Sequence, residues 1–95
     1  MSKVISTAVD ALNAKMSNGF DGVAKIVIPG EGTIMLDAGG ARAGDGEAEV
    51  TLTAAGEVFQ AILSGDMNAT MAFMSGKLTV DGNVGLAMKL GAVLG

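Results

Sequence analysis

The sequence predicts an α+β domain in which helices cover one face of a mostly antiparallel sheet. Two patterns indicate this fold class. Apolar residues recur every three to four positions in several segments, as in amphipathic helices. Other short segments are rich in β-branched residues or alternate apolar and polar side chains, as in strands. The predicted order is a helix, a strand meander, two helices, a strand and a helix. A chain of 95 residues is expected to form one domain, over residues 1–95.

The first half of the chain is predicted to hold one helix and the strand meander. A helix over residues 3–17 carries apolar side chains on one face: Ile5, Val9, Leu12 and Met16. Strands are predicted over residues 22–28, 33–37 and 48–53, with a short strand near residues 41–43 in a glycine-rich loop. In the strand predicted over residues 48–53, Val50 and Leu52 are expected to point inward.

The second half is predicted to contain three helices and one strand. Thr53 is expected to cap a helix that begins at Ala54 and ends before Gly65, since Thr is a favoured N-cap residue. Asp66 is expected to cap the next helix, which ends before Gly76. A strand follows over residues 77–81, with Leu78 and Val80 inward. The last helix is predicted over residues 84–94.

The composition excludes several function classes. The chain has no Cys and no His, so thiol catalysis, imidazole base catalysis and zinc binding lack their usual groups. Six basic residues against ten acidic ones, with no basic cluster, argue against nucleic-acid binding. We therefore expect no enzyme activity and no cofactor. No signal peptide and no apolar stretch of about 20 residues is visible, so a cytoplasmic location is expected.

Two short motifs invite a ligand interpretation but are better explained as turns and strand residues. Residues 45–49 alternate acids as a calcium loop does, but Val50 stands where such a loop needs glycine. The glycines of residues 39–46 fit neither dinucleotide nor phosphate-loop spacing. No metal site is expected.

The last third of the chain carries a surplus of apolar side chains. Residues 66–95 hold only four charges, and four of the seven methionines lie there: Met67, Met71, Met74 and Met88. Methionine is flexible and polarizable, so it adapts to irregular neighbours. A domain of this size has a small interior. The surplus therefore indicates a lipid-like ligand, a self-association face, or both.

The same region resembles the sterol carrier protein type 2 family. The resemblance is dense over residues 48–90, including FQAILSGDMN at 59–68, AFMSGKLTVDGN at 72–83 and GLAMKL at 85–90. It implies a five-stranded sheet of order 3-2-1-4-5 with a short third strand, helices on one face, and an apolar cavity between them. It also implies binding of sterols, fatty acids, fatty acyl-CoA or phospholipids, and their movement between membranes without covalent chemistry.

The leading hypothesis is therefore a non-enzymatic protein that binds and transfers a hydrophobic lipid. The residues expected to line the cavity are apolar side chains of the sheet and of the last three helices: Ile26, Ile28, Ile34, Leu36, Phe59, Ile62, Leu63, Met67, Met71, Phe73, Met74, Leu78, Leu86, Leu90 and Leu94.

Two alternatives remain open at this level. The chain could present isoprenoid quinone intermediates to biosynthetic enzymes, with its last helix as the docking face. Alternatively, it could be a structural homodimer whose cavity is filled by the partner's last helix. Transient membrane contact is open as well, and the sequence does not identify the lipid.

Overall fold

A computed structural model describes residues 3–94. Residues 1, 2 and 95, which the single-domain prediction includes, lie outside the described residues. The helices and strands follow the predicted order: α1 (Lys3–Lys15), β1 (Ala24–Ile28), β2 (Gly32–Asp37), β3 (Gly40–Ala43), β4 (Val50–Ala54), α2 (Gly56–Ser64), α3 (Ala69–Met74), β5 (Leu78–Gly82) and α4 (Val84–Leu94).

The five strands form one sheet in the order β3-β2-β1-β4-β5. Three neighbouring pairs are antiparallel, and the central pair of β1 and β4 is parallel. The parallel pair requires a crossover, which β2, β3 and the following loop provide. The predicted α+β class, the mostly antiparallel sheet, its strand order and its short third strand are confirmed.

The core lies between the inner face of the sheet and the helices. Alternate residues of the central strands are buried, because successive side chains of a strand point to opposite faces. Val50 and Leu52 are among them, as predicted. The helix α1 packs on β2 and β3, whereas α3 packs on β5 and α4 on β4 and β5. Different helices therefore pack on the two halves of the sheet: α1 on β2 and β3, and α3 and α4 on the half that contains β4 and β5.

Two predicted helix caps are wrong. Thr53 pairs with Thr79 inside the sheet, and β4 continues to Ala54, so α2 begins only at Gly56. The residue at the cap position is Ala55, whose side chain accepts no capping hydrogen bond. Asp66 does not cap α3; its carboxylate accepts a hydrogen bond of 3.1 Å from the Ser64 hydroxyl. Asn68 caps α3 instead.

The loop after β3 lies over the outer face of the sheet. Lys25 of β1 forms an ion pair of 2.7 Å with Asp45 of this loop. Met35 of β2, which also points to the outer face, is only 6% exposed. A Cβ added at Gly46 would lie 3.9 Å from the Met35 methyl carbon, so the loop backbone passes close to it. The crossover thus covers one apolar side chain that alternation alone would place in solvent.

The side chain of Asn13 links α1 to the edge strand β3 by hydrogen bonds. The Nδ2 of Asn13 donates to the Ala41 carbonyl, and its Oδ1 accepts from the Ala41 amide, both at 2.9 Å. The amide group of Asn13 thus pairs with an edge strand much as a neighbouring strand would. It occupies backbone groups that could otherwise pair with another chain.

Replacing Asn13 with Ala should lower the free energy of unfolding by about 1–3 kcal/mol, because both Ala41 groups lose their partner. Urea unfolding followed by circular dichroism measures this change. The matched variant Asn13→Asp keeps an acceptor for the amide but places a carboxylate against the carbonyl. The carbonyl disfavours the ionised form and so raises the pKa of this carboxyl in the folded state. The deficit should therefore shrink as the pH falls through that raised pKa. An Asn13→Ala midpoint equal to that of the parent would contradict the role assigned to Asn13.

Candidate functional site

An apolar groove of about 610 Å³ lies between α3, α4 and the strands β4 and β5. Its volume falls in the range of small-molecule sites, about 300–1,000 Å³. Residues from all four elements line it, together with the cap residue of α3: Leu52, Asn68, Ala69, Thr70, Phe73, Met74, Leu78, Val80, Val84, Ala87, Met88, Gly91, Ala92 and Leu94.

The floor of the groove is the inner face of the sheet. Leu78 and Val80 alternate along β5, and Leu52 of β4 lies opposite Val80 in the antiparallel register. These three side chains share one face because the strand period is two.

The cap of α3 determines how that helix enters the groove. The Oδ1 of Asn68 accepts hydrogen bonds from the backbone amides of Thr70 at 2.8 Å and Met71 at 3.3 Å. The helix therefore starts at Ala69, which is buried. Phe73 lies four residues later, on the same face as Ala69, because residues four apart are neighbours on a helix.

The opposite wall is the face of α4 that carries groove residues at helical spacing. Asn83 lies just before this helix, and its Oδ1 accepts from the Leu86 amide at 3.1 Å. From there the lining positions are Val84, Ala87, Met88, Gly91, Ala92 and Leu94. A Cβ added at Gly91 would lie 3.8 Å from that of Ala69, an ordinary van der Waals contact, so α4 passes close to α3 at this position.

Large apolar side chains along the groove are open to solvent. Phe73 is 52% exposed, Val84 64%, Met88 74% and Met74 79%. Met71, on the outer side of α3, is 68% exposed. Residues of these types usually lie inside a folded protein, so exposure of several together marks an interaction site.

The groove lining is uncharged. Its polar side chains are those of Asn68 and Thr70. The carboxyl groups with shifted pKa values lie elsewhere. The hydrogen bond from Arg42, at 2.8 Å, and the Gly39 amide hold the pKa of Asp37 below its ordinary value. Lys25 lowers the pKa of Asp45 in the same way. Such exposed ion pairs contribute little to stability, and neither touches the groove.

The described part of the chain contains neither a candidate metal site nor a helix that could span a membrane. Among residues 3–94, no group of three or more acidic residues could hold a metal ion. Within the same range, no helix has the length and apolarity needed to cross a bilayer. A second, larger depression of about 920 Å³ is lined by the loops of residues 18–23 and 37–39. Its lining includes the charged residues Asp21 and Asp37, whereas the groove lining has no charged side chain, so the groove is the stronger candidate for an apolar ligand.

The structure brings together some of the residues expected to line a cavity and not others. Four line the groove: Phe73, Met74, Leu78 and Leu94. Seven lie in the core at 1% exposure or less: Ile26, Ile28, Ile34, Leu36, Phe59, Ile62 and Leu90. Three are half-buried against the core: Leu63, Met67 and Leu86. Met71 lies on the exposed surface of α3 and is not part of the groove lining.

Several groove residues are absent from the sequence-based set, among them Leu52, Val80, Val84, Ala87 and Met88. The signal for the α4 members was present, because that helix has more apolar positions than one buried stripe needs. The sequence offers no signal that would place Leu52 and Val80 in the groove. An inward strand residue has the same alternating pattern whether a helix or a groove lies above it. Which of all these side chains touch a ligand stays a prediction.

Comparison with known proteins identifies the family. A model of the "SCP-2 sterol transfer family" matches residues 3–95. Hydroxysteroid dehydrogenase-like protein 2 of Rattus norvegicus is 39% identical over 89 residues, covering 85% of this chain and 17% of that protein. Peroxisomal multifunctional enzyme A of Dictyostelium discoideum is 43% identical over 65 residues, covering 68% of this chain and 14% of that protein. The chain therefore spans less than a quarter of the length of either relative.

Solved structures agree on the fold. Sterol carrier protein 2 like 2 of Aedes aegypti has a TM-score of 0.79 at 24% identity, with 95% of each chain covered. Sterol carrier protein 2 of Aedes aegypti, solved as a complex with palmitate, has a TM-score of 0.78 at 23% identity, covering 99% of this chain and 96% of that one. Because the family model matches residues 3–95, the chain belongs to the SCP-2 sterol transfer family.

Proposed function

We propose that this chain binds a lipid without covalent chemistry in the groove between α3, α4 and the sheet, and transfers it between membranes. The observation that carries the proposal is the set of exposed apolar side chains along the groove: Phe73, Met74, Val84 and Met88. The palmitate complex of the Aedes aegypti relative supports a lipid as the occupant.

The energetics favour a long apolar ligand. Each methylene that leaves water contributes about 0.8 kcal/mol, so ten buried methylenes contribute about 8 kcal/mol. Association itself costs an estimated 4–15 kcal/mol, so short chains would not bind measurably. A lipid held mainly by its chain needs few polar contacts, which agrees with the two polar side chains of the lining.

Filling the groove should weaken lipid binding. Ala87 is half-buried on the groove face of α4, so Ala87→Trp places an indole ring where the chain would lie. We expect the affinity for a pyrene-labelled long-chain lipid to fall at least about tenfold, measured by fluorescence titration.

The matched control is Lys89→Trp, which adds the same ring to the same helix. Lys89 is exposed, does not line the groove, and pairs with Asp21 at 3.3 Å, an interaction of little energetic weight. Its affinity should equal that of the parent. Equal affinities for the parent, Ala87→Trp and Lys89→Trp would contradict binding in this groove. Native mass spectrometry of protein from its own host then identifies the lipid.

A second candidate is presentation of isoprenoid quinone intermediates to biosynthetic enzymes. The exposure of Val84 and Met88 on α4 favours it, since an exposed apolar helix face suits a protein partner. Loss of quinone after deletion of the chain supports this function, and unchanged quinone argues against it. In the homodimer alternative, the same exposed face of α4 is the interface between two copies of the chain. Light scattering that shows a monomer at high concentration would argue against this alternative.

A further inference from the structure

Three of the methionines that the structure describes lie open to solvent on the two helices that form the groove walls. Met71 and Met74 of α3 and Met88 of α4 are each at least 68% exposed. In contrast, Met16 and Met35 are buried. Met74 and Met88 line the groove, and Met71 does not. Methionines in the groove lining can therefore be compared with an exposed one outside the groove and with two buried ones.

The two lining methionines belong to different walls of the groove. Met74 is the last residue of α3. Met88 lies one helical turn from Val84 and one turn from Ala92, and all three line the groove, so they form a row along α4. A lipid chain that fills the space between α3 and α4 therefore covers a thioether on each side.

The thioether is the group of this lining that a peroxide oxidises. The chain has no Cys, so all of its sulfur atoms belong to methionine. The other lining side chains are aliphatic, aromatic, amide or hydroxyl groups, which mild peroxide leaves unchanged. A thioether sulfur attacks one oxygen of hydrogen peroxide, and an S–O bond forms as the O–O bond breaks. The departing hydroxide then removes the proton from the new S–OH group and leaves as water. Two electrons pass from sulfur to peroxide, and the product is the sulfoxide.

We propose that Met74 and Met88 are sites of reversible oxidation by a peroxide, and that their sulfoxides lower the affinity of the groove for lipid. The inference rests on the proposed function and adds a modification site that regulates it. A lipid chain lying against a sulfoxide buries a polar oxygen, or it loses the contact because the side chain turns toward solvent. Either change weakens binding. Sulfoxide reductases restore the thioether, so the change is reversible.

The exposure of these two side chains separates an effect on binding from an effect on folding. Oxidation of a buried methionine places a polar group in the interior and destabilises the fold. Met16 and Met35 are buried and therefore shielded from peroxide, whereas Met74 and Met88 are not part of the core. The oxidised chain should therefore retain its fold, as circular dichroism and urea unfolding verify.

Peroxide footprinting tests which sulfur atoms react. The chain is treated with hydrogen peroxide at neutral pH, catalase stops the reaction at intervals, and peptide mass spectrometry measures the sulfoxide at each methionine. We expect Met71, Met74 and Met88 to oxidise at least about tenfold faster than Met16 and Met35. Saturation with the pyrene-labelled long-chain lipid should slow oxidation of Met74 and Met88 several-fold and leave that of Met71 unchanged. Absence of protection at Met74 and Met88, or equal protection of Met71, would overturn the inference.

Fluorescence titration with the same lipid tests the consequence for binding, with each oxidised chain compared with the same chain before peroxide. Oxidation of the parent should weaken binding at least about fivefold, and treatment with reductases for both sulfoxide epimers should restore it. The double variant Met74→Leu and Met88→Leu keeps apolar side chains of similar size but has no sulfur in the lining. Peroxide should therefore leave its affinity at its own starting value. Met71→Leu retains both lining sulfurs and should lose affinity as the parent does.

The outcomes separate this inference from the proposed function. Binding that is unchanged after sulfoxide has formed at Met74 and Met88 overturns the inference, and the proposed function stands. An equal loss of affinity in the double leucine variant also overturns the inference, because the loss then arises at another residue. A parent chain that binds no lipid before oxidation overturns the proposed function and the inference with it.

Discussion

Replacing Phe59 with Ala should lower the free energy of unfolding by about 3–5 kcal/mol and leave the groove intact. Phe59 lies on α2, is 1% exposed and does not line the groove. Removing its ring leaves a cavity that the close-packed surroundings fill only in part. Domains are usually stable by only about 5–15 kcal/mol, so the loss should be plain in urea unfolding.

Phe73→Ala is the matched control, because it deletes the same ring from a groove residue that is 52% exposed. It should cost little stability and weaken lipid binding several-fold, whereas Phe59→Ala should retain the parent affinity under conditions where it is folded. The reverse pattern, with affinity lost at Phe59 and stability lost at Phe73, would show that the ligand lies deeper, among the residues now assigned to the core.

Replacing Gly82 with Ala should lower the free energy of unfolding by at least about 3 kcal/mol. Gly82 ends β5 at a φ of +106°, a conformation that is unfavourable for residues with a Cβ. A Cβ there would lie 2.5 Å from the Glu49 carbonyl oxygen and 3.1 Å from the Val50 Cα. Both contacts are with backbone, so β5 would have to move away from β4.

Gly30→Ala separates the two causes of that loss, which are the positive φ and the contact of the added Cβ with backbone atoms. Gly30 also has a positive φ, +82°, but an added Cβ meets no atom within 4 Å. Its substitution should cost only the conformational term, about 1–2 kcal/mol. Gly82→Ala should also weaken lipid binding even when folded, since β5 forms the floor of the groove. Equal costs at the two positions would show that the contact with Glu49 is relieved without moving the strand.

Much of the fold could be predicted because each element satisfies a local rule. The alternation of Val50 and Leu52 and the helical period of Ile5 and Leu12 both indicate a buried face, and these residues are buried. The range of the last helix, residues 84–94, agrees with α4. The caps were less predictable, because Thr53 and Asp66 fit a cap as well as they fit their observed positions.

The site was harder to predict because core and lining residues have the same chemistry. Phe59 and Phe73 lie in similar apolar helical patterns, yet one is buried and the other exposed. Leu36 and Leu78 are both inward strand residues, but only Leu78 lies beside the groove. The difference depends on which helix covers each strand, and that is a property of the assembled layers.

The sequence by itself determined the α+β class, the approximate ranges of the helices and strands, and an apolar surplus after residue 66. These follow from the periods of side-chain direction and from composition, which are local properties. Only the tertiary structure decided where that surplus remains uncovered. All four helices contribute buried residues to the core, but α3 and α4 also leave a groove above Leu52, Leu78 and Val80. Burial depends on the packing of distant segments, so no local pattern could separate the residues of that groove from those of the core.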